Sequence, residues 1–339
     1  MRDIARATDL SQSTVSRILN RTPTLVPIAE ATRERVIATA MELGYRPNPL
    51  ARGLRGASTM LLGLIVRDIT DPFFAGAIEA VTMAASSRGY NVVLGHSHAR
   101  ADEAITLWGV LEARHCDAIL LLGDSSDQPR LLQDLASAHV PVVALWQGTQ
   151  MTDIGSVSVD NRAGIRVVLD HLTGLGHRRI AFLGGRRLGD IKEREEAFVN
   201  YYAELHEPLR EGYVQHGVND PQSAVAALDR LVALPEPPTA VVAATDVLAT
   251  GLLHAGHARG LRVPEELSVT GFDDIPFAAF TVPALTTMRM PMREIVEQAV
   301  HMALDEPDIA SGDTQVLRPS LIVRASTGPV PAGGSSRRS

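Results

Sequence analysis

The chain has 339 residues, of which 45% are hydrophobic and 21% charged, and a formal net charge of −7. That length and apolar content suit more than one domain with a sizeable core. A single cysteine, Cys116, excludes an intrachain disulfide framework and a cysteine-built zinc site, and its place before the apolar run DAILLLG predicts a buried, inert thiol. The charge is uneven: residues 1–58 carry nine Arg, no Lys and five acids, a net +4, which leaves −11 for the remainder. A basic head on an acidic body is the pattern of a nucleic-acid binder with an independent soluble domain. Lys192 is the only lysine, a bias that a GC-rich genome explains without any functional meaning.

Taken in order, RDIARAT (2–8) and SQSTVSRILN (11–20) read as two short helices, joined only by Asp9 and Leu10. In the second, Val15, Ile18 and Leu19 point inward and small polar residues and Arg17 point outward. Two short helices on a tight turn form a helix-turn-helix, whose second helix can enter a major groove. A third helix, TRERVIATAMELGY (32–45), has the period that buries Val36, Ala40 and Leu43, with Gly44 to end it. Residues 46–58 form a linker with weak helical patterning. From residue 60 the text changes to α/β alternation, with strand-like runs at 61–66, 90–95, 118–123, 140–145, 179–185, 239–245 and 267–272. Alternation of this kind predicts parallel sheets covered on both faces, and the number of units predicts two similar halves with a cleft between them. The apolar runs are strand-sized and too short to span a bilayer. The tail PAGGSSRR (331–338) is expected to be disordered. With no signal peptide ahead of the first helix, a cytoplasmic location is expected.

These features together resemble the lactose/galactose-repressor (LacI/GalR) family of bacterial transcription regulators. The head motif SQSTVSRILN, the linker PNPLARGL (47–54), DITDPFF (68–74), HLTGLGHRRIAFLGG (171–185), TAVVAATD (239–246), RVPEELSVTGFDDIP (262–276), PALTTMRMP (283–291) and LRPSLIVRAST (317–327) follow the family's landmarks in family order. The resemblance implies an N-terminal all-α helix-turn-helix head and an α/β body like that of periplasmic binding proteins, with two doubly wound parallel-sheet subdomains. It implies a DNA-binding head at 1–45, a hinge at 46–58, an effector-binding and dimerisation core at 59–327 and a tail at 328–339. Within the core the expected subdomains are 60–159 with 290–317, and 160–289 with 318–327.

By the same resemblance Gln12, Ser13 and Arg17 face base edges, and Ser11, Thr14, Ser16, Asn20 and Asn48 face phosphates. The chemistry fits, since Gln pairs bidentately with adenine and Arg with guanine, and short hydroxyl side chains near a helix N-terminus suit phosphate oxygens. Ser11 is also placed to cap the second helix. Leu54 matches a leucine that wedges into the minor groove from a hinge helix formed on the operator. Gly53 weakens an isolated helix there by about 1 kcal/mol relative to Ala, which suits a marginal segment. The chain begins later than the family pattern, without the usual threonine cap, so an upstream start codon is one expectation. The loop from Asn20 to Thr32 is longer than usual and holds Pro23 and Pro27. Asp9 replaces a turn glycine, a tolerable exchange because Asp visits the left-handed region more readily than most residues.

For the body, the resemblance places a small-molecule effector, expected to be a sugar or sugar derivative, among loops at the C-terminal strand ends. Phe73 and Phe74 match aromatics that pack on a sugar ring, with ordinary core packing as the competing role. Asp71, Arg194 and Asp273 match polar contacts, and Asp160 is a weaker candidate. Arg194 lies in the charge-rich IKEREEAF, where a solvated salt-bridge partner is the competing role. Trp146 replaces a usual aspartate, Asn219 an aromatic, Thr245 an Asn and Met290 a Gln. The pocket thereby loses hydrogen-bonding groups and gains a stacking surface. HSH (96–98) lacks an accompanying acidic or Cys cage and reads as an exposed loop, while His171 and His177 read as structural. No metal or cofactor is implied.

The resulting expectation is a repressor that binds a near-palindromic operator as a homodimer and answers to a cleft ligand. A transport solute-binding protein would carry an export signal and no helix-turn-helix. A dinucleotide enzyme would need GxGxxG after its first strand, where LGLIVRDIT stands instead, and neither a P-loop nor a G-x-S-x-G elbow occurs.

Overall fold

The computed structural model describes residues 1–19, 28–45, 58–124, 129–146, 154–185, 189–306 and 313–331. The chain divides into a small unit, Met1–Thr59, and a large one, Met60–Ser339.

In the small unit, α1 (Arg2–Thr8) and α2 (Gln12–Leu19) are joined by a turn in which Asp9 takes φ 52°, so the tolerance of the short polar Asp side chain for left-handed backbone is used where expected. The Leu10 amide closes the turn on the Ala5 carbonyl at 3.0 Å. α1 starts at Met1 with no side-chain cap. α3 (Glu30–Glu42) crosses both, and Ile4, Ala5, Val15, Ile18, Val36 and Ala40 form the core, with Leu10, Leu19, Ile28 and Tyr45 packed on it. Leu43 departs from expectation and is 53% exposed. It lies beyond the last helical turn, where the 3.6-residue period no longer governs direction; Gly44 (φ 61°) reverses the chain, and Tyr45, whose amide bonds the Ala40 carbonyl at 2.9 Å, takes the core position.

The large unit holds two six-stranded sheets. The first is ordered β11-β5-β4-β3-β1-β2, from β1 (Leu61–Val66), β2 (Asn91–His96), β3 (Ala118–Leu122), β4 (Val142–Leu145), β5 (Gly155–Val159) and β11 (Thr314–Leu317), all paired parallel. The second is ordered β12-β10-β9-β8-β6-β7, from β6 (Ile180–Gly184), β7 (Val214–His216), β8 (Ala240–Ala243), β9 (Ser268–Asp273), β10 (Thr286–Arg289) and β12 (Ser320–Ile322). Here the parallel expectation needs one correction, because β12 runs antiparallel to β10. The chain reaches β12 from β11 of the first sheet through Arg318 and Pro319 alone, and so enters the second sheet at its edge against the direction of β10.

The helices between strands are α4 (Pro72–Ser87), α5 (Ala101–Ala113) and α6 (Pro129–Ala136) in the first half. Those of the second half are α7 (Asn161–Gly174), α8 (Gly189–Glu204), α9 (Pro221–Val232) and α10 (Asp246–Ala258). α11 (Met292–Asp305) returns to pack on α4, β3, β4 and β5. The chain therefore passes between the halves three times, after β5, after β10 and after β11. The central strands are buried along almost their whole length, as strands covered on both faces must be. Beyond residue 327 the chain is still attached, with the Gly328 amide on Ser268 Oγ and the Val330 amide on the Leu175 carbonyl. His177 is fully buried, bonding Thr239, Ser268 and the Gly328 carbonyl, and burial lowers its pKa, a structural role.

Candidate functional sites: an exposed helix and a ligand cleft

On α2 the pattern of small polar residues over apolar ones becomes two faces. Val15 and Ile18 are buried, whereas Gln12, Ser13 and Arg17 are exposed. Ser11 precedes the helix and accepts the Thr14 amide at 3.1 Å, so it is the N-cap; its hydroxyl also meets those of Ser13 and Thr14 at 2.7 and 2.8 Å. Thr14 and Ser16 are half-buried on the flank. The exposed row offers an amide, a hydroxyl and a guanidinium from consecutive turns, a set that can hydrogen-bond base edges and phosphates. Asn20, Asn48 and Leu54 lie outside the described residues.

In the large unit a cavity of about 890 Å³ opens between the two sheets. Its walls come from the C-terminal ends of strands and the helix N-termini that follow them. Several lining residues are helix caps. Asp71 accepts the Phe73 amide at 3.0 Å ahead of α4, Asp220 accepts the Ser223 amide ahead of α9, and Thr245 accepts the Leu248 amide at 3.3 Å ahead of α10. Capping and cleft lining are thus one local design, because a capped N-terminus at a strand end points its polar cap into the crevice.

One wall is aromatic. The Phe73 ring meets Phe74 at 5.3 Å and Trp146 at 4.9 Å between centroids, both edge-on. These rings are more than 90% buried and also line the cavity, so core packing and wall formation coexist. Trp146 follows β4 with φ 59°, a left-handed conformation that costs an L residue about 1–2 kcal/mol, and its buried indole N–H has no hydrogen-bond partner among the described residues.

The opposite wall is polar. Asn219 donates to Asp71 Oδ2 at 2.9 Å, and Thr245 Oγ1 donates to Asn219 Oδ1 at 2.6 Å. Since Asp71 belongs to the first half and Asn219 and Thr245 to the second, this relay crosses the cleft. The walls also meet at Gly189, where an added Cβ would lie 2.6 Å from Asp124 Cγ. Deeper in, Arg194 is only 3% exposed. Its Nε donates to Asn161 Oδ1 at 2.8 Å, and its Nη1 to the Ala244 carbonyl at 2.6 Å and Asp273 Oδ1 at 3.4 Å. Its guanidinium lies 3.7 Å from the centre of the Phe272 ring. The solvated ion-pair role weighed for Arg194 is therefore excluded; its charge is held inside by Asp190, Asn161 and Asp273.

Burial dominates the acid chemistry. It raises the pKa of Asp71, lifts Asp190 to about 6 against the lowering effect of Arg194, and drives Asp273 well above the usual carboxylate range. Asp246, behind the cleft, is pushed up to about 7 by burial while it accepts from the Ile275 amide and the Thr287 hydroxyl.

Asp71, Phe73, Phe74, Trp146, Arg194, Asn219, Thr245 and Asp273 all line the cavity. Asp160 does not: its carboxylate accepts the Ala163 amide at 2.9 Å and caps α7. Met290 is buried away from the lining. Sequence reasoning missed Arg67 and Asp68, although Asp68 opens the DITDPFF run, and it missed Asp124, Asp190 and Phe277, which join them from other parts of the chain. A signal did exist for Asp190, which lies four residues before Arg194 on one helical face. His96 ends β2 and stacks on His98 at 3.8 Å, and among the described residues no group of three or more His, Cys, Asp or Glu can hold a metal ion. Cys116 is buried, with burial lifting its thiol to about 11. No helix among the described residues is long and apolar enough to cross a membrane.

Comparison with known proteins accounts for both sites. Residues 1–48 match the family described as bacterial regulatory proteins, lacI family, and residues 169–327 match the periplasmic binding protein-like domain. Catabolite control protein A of Priestia megaterium is 30% identical over 302 residues, covering 88% of this chain and 90% of that protein. The HTH-type transcriptional repressor PurR of Erwinia tasmaniensis is 31% identical over 340 residues, covering 96% of each. Among solved structures, a lac repressor dimer bound to operator and the anti-inducer ONPF superposes with a TM-score of 0.85 at 26% identity, covering 96% of this chain and 98% of that one. A complex of the transcriptional regulator CelR with cellobiose gives a TM-score of 0.71 at 29% identity, covering 95% and 98%. The helix-turn-helix head, the two-sheet body with its cleft and these relatives agree: the chain belongs to the LacI family, transcription regulators rather than enzymes, with a DNA-binding and a ligand-binding domain.

Proposed function

We propose that this protein is a homodimeric repressor that reads a near-palindromic operator and is controlled by a small molecule in the cleft of its body. The observation that carries the proposal is the two-faced α2, with Gln12, Ser13 and Arg17 exposed over a buried Val15 and Ile18. Gln12, Ser13 and Arg17 take base edges, assisted by Leu54 from the hinge; Ser11, Thr14, Ser16, Asn20 and Asn48 take phosphates. The head spans 1–45, the hinge 46–58 and the effector and dimerisation core 59–327, and the protein acts in the cytoplasm.

A single head offers few contacts, so a second copy is needed for affinity. Phe280 and Val282, 82% and 90% exposed, with Phe277 at 67%, give the body an apolar surface suited to that partner. The effector is a carbohydrate or a derivative, which suits an aromatic wall facing carboxylates and an arginine. Asp71, Phe73, Phe74, Trp146, Arg194, Asn219, Thr245 and Asp273 form its site.

Selection of bound sequences from a random duplex library tests this reading. The expected result is a two-fold symmetric site with a pyrimidine–purine step at its centre. An asymmetric site argues against the dimer, and no enrichment argues against the head.

A further inference from the structure

The chain passes between the halves three times, and each passage bears on the groups that hold one side chain of the cleft, Arg194. The first passage runs from β5 into α7. Asp160 caps α7 there, and its amide donates to the Leu317 carbonyl at 2.8 Å, which ties the first passage to the third. Asn161, the next residue, is buried and uses both ends of its amide. Its Oδ1 accepts Arg194 Nε at 2.8 Å, while its Nδ2 donates to Asp190 Oδ1 at 3.0 Å and Glu193 Oε2 at 2.9 Å. With donor and acceptor both committed, the orientation of this amide is set.

The second passage leaves β10 at Arg289, and the Met290 amide that follows donates to the Asp273 carbonyl at 3.4 Å. The carboxylate of the same Asp273 accepts Arg194 Nη1. Asp273 also holds φ 123°, a conformation that L residues rarely adopt and that persists only where the surroundings over-determine it.

The third passage is Arg318 and Pro319, and here the fit is steric. A Cβ on Gly164 of α7 would lie 2.9 Å from Cε2 and Cζ of Phe272 and 3.0 Å from Pro319 Cγ. Ring, glycine and proline therefore pack with no room for a side chain. The same fully buried Phe272 ring lies under the Arg194 guanidinium, 3.7 Å from its centroid, where its π-face stabilises a desolvated cation.

We propose that Arg194 is the anchor of the hinge in the second half, with Asn161 and Phe272 as its positioning residues, so that a ligand drawing on this guanidinium acts on all three passages at once. From the effector-controlled reading this takes only that the cleft opens and closes. Passages between two halves absorb the backbone change in such a motion. Where all three are held on one cluster they turn together; with a holder removed they turn separately, and the cleft takes a wider range of openings.

Pulsed electron–electron distance measurement on the full chain tests this. Spin labels go on Ala75→Cys and Gln222→Cys, exposed positions in the first turns of α4 and α9, one in each half. Cys116 is buried, with its thiol pushed up to about 11, and does not compete for label. Dilution with unlabelled protein keeps each measured pair within one chain. Phe272→Leu is expected to broaden the distance distribution of the labelled parent. Phe182→Leu removes an equally buried ring from β6 of the same sheet; it is expected to lower the Tm as Phe272→Leu does and to leave the distribution at its parent width. Pro319→Ala, which loosens the third passage from outside the core, is expected to broaden the distribution with little change in Tm, and it carries the test if Phe272→Leu does not fold. Parent width in both Phe272→Leu and Pro319→Ala overturns the proposal, and so does equal broadening by Phe182→Leu. The operator selection judges the repressor reading independently of these results.

Discussion

Arg194 shows how much one buried side chain can organise. Its donors satisfy Asn161, a main-chain carbonyl and Asp273, and its charge offsets Asp190. Arg194→Met leaves those acceptors buried without their cation, and the expected loss is about 3–5 kcal/mol of body stability, read as a lower denaturation midpoint; a wild-type midpoint would refute the assignment. The acids give a second expectation. Asp190 at about 6 and Asp246 at about 7 hold protons in the folded state that the unfolded chain, near 3.8, releases. Between those values the folded state binds more protons than the unfolded one. Stability therefore falls as pH rises through the folded pKa values, the reverse of a salt-bridged carboxylate. Thermal melts from about pH 5 to about pH 8 should show a declining Tm, and Asp246→Asn should flatten the decline. At the DNA-reading face, Arg17→Ala is expected to cost about 1–3 kcal/mol of operator affinity and to relax selectivity at one base pair, measured by anisotropy on the enriched site.

At the scale of elements, α2 and the turn before it were legible because their signals are local: a two-residue joint, an Asp that tolerates φ 52° and apolar residues at helical spacing. The central strands were legible for the same reason, as continuous apolar runs. β5, β7, β11 and β12 were not, since GSVSV and three- or four-residue edge segments are strands only by virtue of the neighbours they pair with. Leu43 was misplaced because periodicity was extended past a helix end that only the Gly44 reversal defines. The packing of α10 on α9 supplies a prediction. A Cβ at Gly251 would come within 2.5 Å of the Pro221 carbonyl and 2.7 Å of Ala224 Cβ. Gly251→Ala should force the helices apart at a cost of about 1–3 kcal/mol, lowering the melting temperature of the body and leaving the head's helical signal intact.

For the whole molecule, the cleft residues that matched a family motif were legible, and the acids contributed by unrelated loops were not, because proximity across two sheets leaves no trace in local spacing. Asp160 was misassigned for the converse reason: an Asp before a helix is a cap first, and only the sheet geometry decides whether the cap faces the crevice. In the proposed regulator the state of the body sets the behaviour of the head. The Asp71–Asn219 bond crosses the cleft and so biases its closure, and one such bond is worth about 0.5–1.5 kcal/mol. The most direct test compares wild type and Asn219→Ala on the same enriched operator duplex, at one salt concentration and without ligand. A change of roughly twofold to tenfold in operator affinity is expected, from a substitution made entirely within the body. Equal affinity of the two proteins would contradict coupling between cleft and head.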